Sequence, residues 1–264
     1  MHNSPEDIAA RTAGIYKAVL RDSGNIKQPD FQRLGTDDLA CLFGLYDGTF
    51  FGGWLARSVQ AATGLPLGLR LSATMTRAGG KTLLYRQRTP GGKAASRYEI
   101  AIASRMLFMT FRDVDRPVVV CGLPCRDRLE ALQRIFEHEM VHLAEWVVYG
   151  KSSCSARRFK ALAGNVFGHT DTKHALVTPR EHAAVLHGIS SGSWVEFDFE
   201  GRRRVGRVSR VHQRATVLVE DPRGMRYSDG KKYQKFYVPL GGLRPHRPGT
   251  EIGPAGAQSA GAGH

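Results

Sequence analysis

The segment His138–His142 combines residue types and a spacing that can carry out hydrolytic chemistry. It reads His-Glu-Met-Val-His, so two imidazoles stand four residues apart with a carboxylate next to the first. In a helix of about 3.6 residues per turn, His138 and His142 share one face and can bind the same metal ion. Glu139 can then hold and deprotonate a water bound to that ion. The segment predicts a zinc site with two histidine ligands and with Glu139 as general base and then general acid.

The residues around this segment predict the helix that such a site needs. Apolar residues recur at steps of three and four from Asp127 onward, and Gly150 is a typical C-terminal stop. The motif would then lie in the middle of a mostly buried helix, where unpartnered histidine and glutamate side chains cost roughly several kcal/mol. Metal binding removes that cost, and we prefer it to a chance occurrence of the motif. The apolar positions are Leu129, Leu132, Ile135, Phe136, Met140, Leu143 and Val147.

Segments on both sides of the motif resemble the SprT-like (Spartan-type) zinc metalloproteases over roughly residues 40–180. Leu45–Leu55 is similar to the family's opening helix with its Phe-Gly-Gly turn, and Leu71–Gly80 is similar to its first core strand and turn. Tyr98–Ser104 is similar to a strand that runs towards the metal helix, the kind of edge along which zincins pair with an extended substrate. The resemblance implies a zincin-like metalloprotease domain, a bound Zn²⁺, and proteolysis of proteins associated with DNA or crosslinked to it.

The third zinc ligand is left open by the sequence. The resemblance implies a histidine at the position that Ser155 occupies, and serine is a poor zinc ligand. The neighbouring Cys154 offers a thiolate, which is a good ligand if the loop shifts by one residue. His169 lies at the end of the next predicted helix, Ala156–Phe167, about 18 Å along it. It reaches the metal only if the chain folds back after Gly168.

Two further side chains near the motif are candidates for supporting roles. His174, at the start of the next predicted strand, is another possible third ligand. Glu145 shares the helical face of the two histidines, but the metal would lie about 10 Å from its Cα, and a glutamate reaches about 6–7 Å. We therefore expect Glu145 to hold a ligand residue and not the metal itself.

Composition bounds the class of protein. The chain has 264 residues, of which 42% are hydrophobic, so it can bury one substantial core and a smaller one. It lacks a run of eighteen apolar residues, so we expect no membrane span, and it lacks an apolar leader, so we expect no secretory signal. Its four cysteines are too scattered for a disulfide framework, so we expect a cytoplasmic protein. Cys121–Cys125 is one residue longer than a zinc knuckle and is interpreted as a turn.

The pattern divides the chain into four parts. Residues 1–35 hold a helix around Ile8–Leu20 and a polar connector, and residues 36–187 form the SprT-like domain, which begins at an N-cap at Thr36. Residues 188–245 change to five short alternating strands, and residues 246–264, rich in Gly, Ala and Pro, are expected to be disordered. The predicted fold class is α+β, with a small sheet beside the metal helix followed by a small SH3-like or Tudor-like β-barrel. Strands are predicted at Val195–Phe199, Val205–Val211, Ala215–Val219 and Phe236–Leu240, with turns at 221–224 and 228–230.

The predicted barrel is basic. It has 12 Lys or Arg against 6 Asp or Glu, a balance of +6, within a chain whose net charge is +14 and whose pI is about 10.0. Such a balance attracts polyanions, although a solvated charged face is the plain alternative. We expect protein substrates, with DNA contacted through the basic surface and the barrel. The candidate phosphate-binding residues are Arg202, Arg203, Arg204, Arg207, Arg210 and Arg214, and the candidate stacking residues are Tyr227, Tyr233 and Tyr237.

The same residues are compatible with a second function. If His138, His142, Cys154 and His169 all bound one zinc ion, the site would be closed and would leave no position for water. The protein would then bind nucleic acid, with a structural zinc and little or no hydrolytic activity. The number of protein ligands on the metal separates the two functions.

Overall fold

The computed structural model describes residues 3–88, 94–112, 114, 116–212 and 214–247. The chain forms two compact units, Met1–His182 and Ala183–His264. The described residues have a mixed α+β architecture, which confirms the predicted fold class at that level. Within those residues, no single helix combines the length and the hydropathy that crossing a membrane requires.

The first unit is mostly helical, with a small sheet and a hairpin. Its elements, in chain order, are α1 (Pro5–Asp22), α2 (Thr36–Phe51), α3 (Trp54–Thr63), β1 (Gly68–Leu71), β2 (Gly80–Arg88), β3 (Ala94–Ile102), α4 (Ser104–Met109), β4 (Val118–Val120), β5 (Leu123–Cys125), α5 (Arg128–Tyr149) and α6 (Arg157–Phe167). A further helix, α7 (Pro179–His187), spans the boundary between the units.

Helix α5 is the central element of this unit and carries the zinc motif. The Asp127 side chain caps it by accepting a hydrogen bond from the backbone N–H of Glu130, and Gly150 ends it in the left-handed conformation. Its apolar residues, among them Leu132, Phe136 and Met140, are fully buried in the main core. The predicted helix and both of its ends are confirmed.

The N-terminal helices also agree with the sequence pattern, apart from one cap. Helix α1 contains the predicted helix and packs Ile15 and Val19 into the main core. Helix α2 ends at Phe51, and Gly52 and Gly53 adopt positive φ before α3, as the predicted turn requires. Thr36 is the first residue of α2 and not its cap. The N-cap is Gly35, whose backbone N–H donates to the Asp38 carboxylate.

The small sheet corrects two predictions. Its strand order is β1-β3-β2, with β1 parallel to β3 and β2 antiparallel to it. Strand β3 contains most of the segment Tyr98–Ser104 and lies in the middle, so the prediction of an edge there is wrong, and β2 is the edge strand on that side. The predicted strand within Leu71–Gly80 is also wrong, because β1 ends at Leu71 and β2 begins at Gly80.

The hairpin β4–β5 precedes α5, and its turn is Cys121–Gly122. The turn predicted for Cys121–Cys125 is confirmed at Cys121–Gly122, whereas Leu123–Cys125 forms strand β5. All four cysteines of the chain are free, with Cys121 and Cys125 buried and Cys41 and Cys154 partly buried.

The second unit is one antiparallel sheet over a small apolar core. Its strands are β6 (Trp194–Phe199), β7 (Arg202–Val211), β8 (Arg214–Arg226), β9 (Lys232–Pro239) and β10 (Arg244–Pro245), with a 3₁₀ turn at Leu240–Gly242. The order is β10-β6-β7-β8-β9, and no pairing of β9 with β10 closes it among the described residues, so the predicted closed barrel is not confirmed. The turn predicted at 221–224 is an irregularity inside β8, whereas the turn at 228–230 is confirmed. Most of the predicted disordered tail lies outside the described residues.

Candidate active site

His138 and His142 face each other across one turn of α5. Their Nε2 atoms are 3.2 Å apart. Two nitrogens bound to one tetrahedral zinc ion at about 2.05 Å lie about 3.3 Å apart, so this spacing suits a shared ion. The third member of the group is Cys154, and the donor atoms of all three residues lie within 4.8 Å of one another. Among the sequence candidates for the third ligand, the structure brings Cys154 to this pair of nitrogens.

Cys154 reaches the histidines because the chain turns sharply after α5. Gly150 adopts positive φ, and a second turn follows in which the backbone N–H of Ala156 donates to the carbonyl of Ser153. The Ser155 side chain is exposed and its hydroxyl pairs with that of Ser153, so it lies outside the donor group. The loop therefore places the thiol of Cys154 beside the two histidines, in the place for which the resemblance implied a histidine at residue 155.

The other nitrogen of the His142 ring is held by a chain of hydrogen bonds. The Ser152 hydroxyl lies 2.6 Å from His142 Nδ1 and donates its proton to Glu145 Oε2 over 2.6 Å. Because the serine proton points to Glu145, the oxygen accepts from Nδ1–H, and this tautomer leaves the lone pair of His142 on Nε2. Arg158 Nε donates to the other oxygen of Glu145 at 2.7 Å. Glu145 is therefore linked to His142 through two hydrogen bonds, with Ser152 between them, as expected from its distance along the helix.

The His138 ring is oriented in a similar way by a thiol. Cys121 Sγ lies 3.6 Å from His138 Nδ1 and 3.8 Å from the carbonyl oxygen of Arg134. When the thiol donates its proton to that carbonyl, the sulfur accepts from Nδ1–H and the lone pair of His138 is on Nε2. Burial, reinforced by the neighbouring His142 ring, lowers the pKa of His138 to about 3, and burial also lowers the pKa of His142. Both shifts favour the neutral form of the imidazole, which is the form that binds a metal ion.

Phe159 forms the apolar floor of the pair. Its ring centroid lies 4.9 Å from that of His138 and 4.4 Å from that of His142, and its side chain is fully buried in the core. Phe159 belongs to α6, the helix that follows the Cys154 loop. This packing of Phe159 against both imidazole rings holds them in position.

Glu139 points to the other side of the motif, against strand β2. Thr82 Oγ1 donates to Glu139 Oε2 at 2.8 Å, and its oxygen is also 2.9 Å from the Glu139 carbonyl. Burial raises the pKa of Glu139 to about 7, even though the hydrogen bonds from Thr82 act to lower it. A carboxyl group with this pKa is suited to take up and release a proton near neutral pH. The close neighbour of the carboxylate is Gly80, the first residue of β2.

These groups share one cavity of about 680 Å³. Its walls come from α5, from the start of β2, from the Cys154 loop and from the segment that contains Lys173 and His174. His174 lines the cavity, but its Nδ1 accepts a hydrogen bond from the backbone N–H of Leu176, and it belongs to neither donor group found among the described residues. The zinc-ligand candidates and Glu139 thus lie at a space large enough for a peptide segment.

His169 belongs to a different donor group from Cys154 among the described residues. The chain folds back after Gly168, which has positive φ, and brings His169 into a second donor group with Cys121 and His138. The Nε2 atom of His169 is 2.8 Å from Glu137 Oε2, and both side chains are buried. The fold-back that the sequence required for His169 is present, but it brings His169 to Cys121 and His138 and not to the group of His142 and Cys154.

Comparison of the chain with protein-family models, with curated protein sequences and with solved structures gave no match. The site is therefore interpreted from its own geometry. Sequence reasoning missed Thr82, Ser152 and the pairing of Cys121 with His138. Only Ser152 left a signal, because a serine two residues before the candidate thiol is a natural hydrogen-bond partner for a metal ligand.

Proposed function

We propose that this protein is a zinc-dependent peptidase, with His138, His142 and Cys154 as metal ligands and Glu139 as general base and then general acid. One observation carries the proposal. Two partly buried imidazoles bring their Nε2 atoms to within 3.2 Å of each other, while Ser152 Oγ or Cys121 Sγ lies beside the other nitrogen of each ring. A cation between the two Nε2 atoms can accept a lone pair from each of them, which accounts for this close approach. Zinc fits because two imidazoles and a thiolate are ligands that it prefers.

The groups around the metal position support hydrolysis over a purely structural ion. Three donors leave the fourth tetrahedral position free, and the group lies at an open cavity. Zinc, when bound, supplies a Lewis acid that polarises the scissile carbonyl and lowers the pKa of water. Glu139 takes the proton of the attacking water and delivers it to the leaving amine, and Thr82 holds its carboxylate for both transfers.

The position of His169 argues against the closed four-ligand alternative. That alternative requires His169 to join His142 and Cys154 on one ion. His169 instead lies in the group on the Nδ1 side of His138 and uses its Nε2 for Glu137. The geometry therefore favours three protein ligands and a position for water.

Strand β2 offers a route for an extended peptide. Its residues Gly80, Lys81 and Thr82 line the cavity, and among the described residues β2 has a strand neighbour on one side only. A peptide can pair with such an edge by backbone hydrogen bonds, which gives affinity without demanding a particular sequence. This arrangement is similar to that of the zincin-like fold, and the resemblance to SprT-like proteases extends the proposal to protein substrates associated with DNA.

The test combines metal content with cleavage of an unstructured protein. The purified protein is expected to hold one zinc and to cleave, and Glu139→Gln is expected to keep the zinc and lose cleavage, because an amide cannot take the proton. Glu130→Gln is the matched control on the same helix, since Glu130 pairs with Arg126 at its first turn. Unchanged cleavage by Glu139→Gln contradicts the proposal, and so does a metal with four protein ligands in X-ray absorption.

Nucleic-acid binding through the second unit is a second candidate function, supported by one face of its sheet. Cross-strand pairing places Trp194, Arg207, Leu218 and Lys235 in one row across β6, β7, β8 and β9. Arg210, Thr216 and Tyr237 form the next row. The neighbouring residues Val195, Val208, Val217 and Phe236 are buried in the core, so the two rows occupy the opposite face of the sheet.

The chemistry of this outward face suits a single strand of nucleic acid. Trp194 and Tyr237 are 43% and 63% exposed, so their rings can stack on bases. Arg207, Arg210 and Lys235 add positive charge for the phosphates, and each row contains one aromatic residue and at least one basic residue. We propose that the face binds DNA and thereby brings the peptidase unit to proteins that are attached to it.

A further inference from the structure

The Cys121 side of the His138 ring carries a second group of metal-ligand atoms that the proposed catalysis does not use. Cys121 Sγ lies 3.6 Å from His138 Nδ1. A ring nitrogen of His169 joins them, and the three donor atoms lie within 4.8 Å of one another. A sulfur at about 2.3 Å and a nitrogen at about 2.05 Å from one tetrahedral ion are about 3.6 Å apart, so the thiol–imidazole spacing suits a shared ion.

His169 is the member of this group whose hydrogen bonding is incomplete. Its side chain is only 1% exposed, and its Nε2–H donates to the Glu137 carboxylate. Its Nδ1 is buried and has no hydrogen-bond partner among the described residues. Buried ring nitrogens are normally paired, because leaving one unpaired costs about 1–3 kcal/mol. A histidine that donates one nitrogen to a carboxylate and keeps a free lone pair on the other has the usual arrangement of a metal ligand.

The backbone around Cys121 is arranged to hold its thiol in this group. Cys121 has φ +54°, a left-handed conformation that is uncommon for residues other than glycine. Its N–H donates to the carbonyl of Lys173, and its carbonyl accepts from the N–H groups of Thr170 and Asp171. These bonds join the Cys121 turn to the segment that begins with His169. Strain of this kind is concentrated at functional sites and persists because the surroundings impose it.

We propose that Cys121, His138 and His169 form a second metal position, for a thiophilic divalent cation of the zinc and cadmium class, that competes with the catalytic position for His138. The inference rests on the proposed function only for the catalytic role of His138. A neutral imidazole has one lone pair, and the catalytic position uses it on Nε2 while Nδ1 keeps the proton. An ion at the second position needs that lone pair on Nδ1 and releases the thiol proton of Cys121 to solvent. Excess metal therefore removes His138 from the catalytic group and inhibits.

Cobalt and cadmium titrations of the full chain test the second position without any need for activity, because each ion gives a thiolate charge-transfer absorption. Cys154→Ala removes the only thiol of the catalytic group found among the described residues. We expect this variant to keep a thiolate band, and we expect the band to disappear when Cys121→Ser is added. His169→Ala should weaken the binding that produces the band by about tenfold or more. Absence of the band in Cys154→Ala overturns the inference.

The matched control is Cys125→Ala. Cys125 is also a buried cysteine of the same hairpin, but it belongs to neither donor group of the described residues. It should leave the band of the Cys154→Ala background unchanged, and loss of the band there would assign it to Cys125 and overturn the inference. In the wild-type background, Cys121→Ser should relieve inhibition by excess zinc, measured as the ratio of activity in excess zinc to activity at one equivalent within the same variant, and inhibition that persists in Cys121→Ser contradicts the competition.

The outcomes also separate this inference from the proposed function. A protein that shows the Cys121-dependent band but cleaves no protein retains the second metal position and loses the peptidase proposal. A protein that cleaves in a Glu139-dependent way but shows no such band retains the peptidase and loses the second position.

Discussion

Gly80 touches the carboxylate of Glu139 so closely that a β-carbon in its place would lie 2.8 Å from Glu139 Oε1 and 2.7 Å from its Cγ. Strand β2 thus approaches the catalytic helix as near as the glutamate allows. The absence of a side chain at position 80 is a requirement of the site, since any β-carbon displaces the proposed general base.

The first prediction follows from this contact. Gly80→Ala should push the Glu139 carboxylate aside and lower kcat by about 10²-fold, because a displacement of about 1 Å at a catalytic group has effects of that size. Zinc content should be unchanged, since neither ligand histidine contacts residue 80. Gly44→Ala is the matched control, because a β-carbon there meets nothing within 4 Å. Equal activity of the two variants would contradict the assigned position of Glu139.

The second prediction concerns the chain from Ser152 to Glu145. Ser152→Ala removes the acceptor for His142 Nδ1–H and leaves that ring free to turn. We expect zinc affinity to fall by about 10–100-fold, measured by competition with a chelator. Ser155→Ala serves as the control in the same loop, since the Ser155 hydroxyl is exposed and pairs with that of Ser153. If Ser152→Ala binds zinc as tightly as the wild type, the hydrogen-bond chain does not orient the ligand.

The third prediction decides the third ligand of the catalytic position. Cys154→Ala should reduce zinc affinity at one equivalent more than His169→Ala does, because among the described residues Cys154, and not His169, shares a donor group with both His138 and His142. Zinc content after dialysis against a weak chelator is the measurement. Cys154→His should recover part of the binding, since imidazole is also a zinc ligand. A larger loss in His169→Ala would place the main metal on the Cys121 side of His138.

The fourth prediction tests a stabilising group outside the site. Asp38 is buried, which by itself raises its pKa, but hydrogen bonds from Ser23, Asn25 and Gly35 lower the pKa below its usual value. A lowered folded-state pKa stabilises the protein above the unfolded-state pKa, and that contribution is lost as the pH falls through the folded-state value. Asp38→Asn should therefore lower the free energy of unfolding by about 1–2 kcal/mol at pH 7.

The difference between Asp38→Asn and the wild type should begin to shrink below about pH 4, where the unfolded state takes up a proton, and should be lost below the folded-state pKa, where the carboxyl group is protonated in both states. Urea unfolding at a series of pH values measures it. A difference that stays constant down to pH 3 would show that the loss comes from packing and not from the ionised carboxylate.

The fifth prediction concerns the outward face of the C-terminal sheet. Replacing Arg207 and Lys235 by Gln should weaken binding to single-stranded DNA and make its dependence on salt shallower by about one unit of slope per phosphate contact removed. Tyr237→Ala should weaken binding without changing that slope, because stacking is uncharged. Arg223→Gln is the charge-matched control, since Arg223 is paired with Asp221 in the irregular part of β8. Equal effects of Arg223→Gln and Arg207→Gln would point to unspecific attraction by net charge.

The sequence predicted the elements whose signal is local. The helix around His138 repeats apolar residues for six turns and has a capping aspartate and a terminal glycine, so its bounds follow from the pattern. The order of the small sheet did not follow, because the pairing of β1, β2 and β3 is a tertiary contact, and the local pattern of each strand does not state which of them lies in the middle. An open sheet and a closed barrel likewise share one strand pattern.

The candidate site likewise has residues that the local sequence predicts and residues that only the tertiary fold brings together. His138, Glu139 and His142 are fixed by their spacing on one helix. The environment of each is built from residues far away in the sequence, such as Thr82 for Glu139 and Cys121 for His138. No periodicity links such residues, since their meeting depends on the paths of loops. The path of the loop after Gly150 determines whether residue 154 or residue 155 lies beside the two histidines.

That loop gives the proposed metal a mechanical role. Two of the three donors belong to α5, whereas Cys154 lies beyond the end of that helix. An ion that binds all three is a reversible cross-link that closes the chain between His142 and Cys154 and ties the start of α6 to α5. Such a closure acts on the unfolded chain as a disulfide does, by restricting its conformations, and the binding energy adds to the folding energy. The melting temperature of the first unit should then rise with the concentration of free zinc. Removing zinc should destabilise the fold even when every residue of the site is intact.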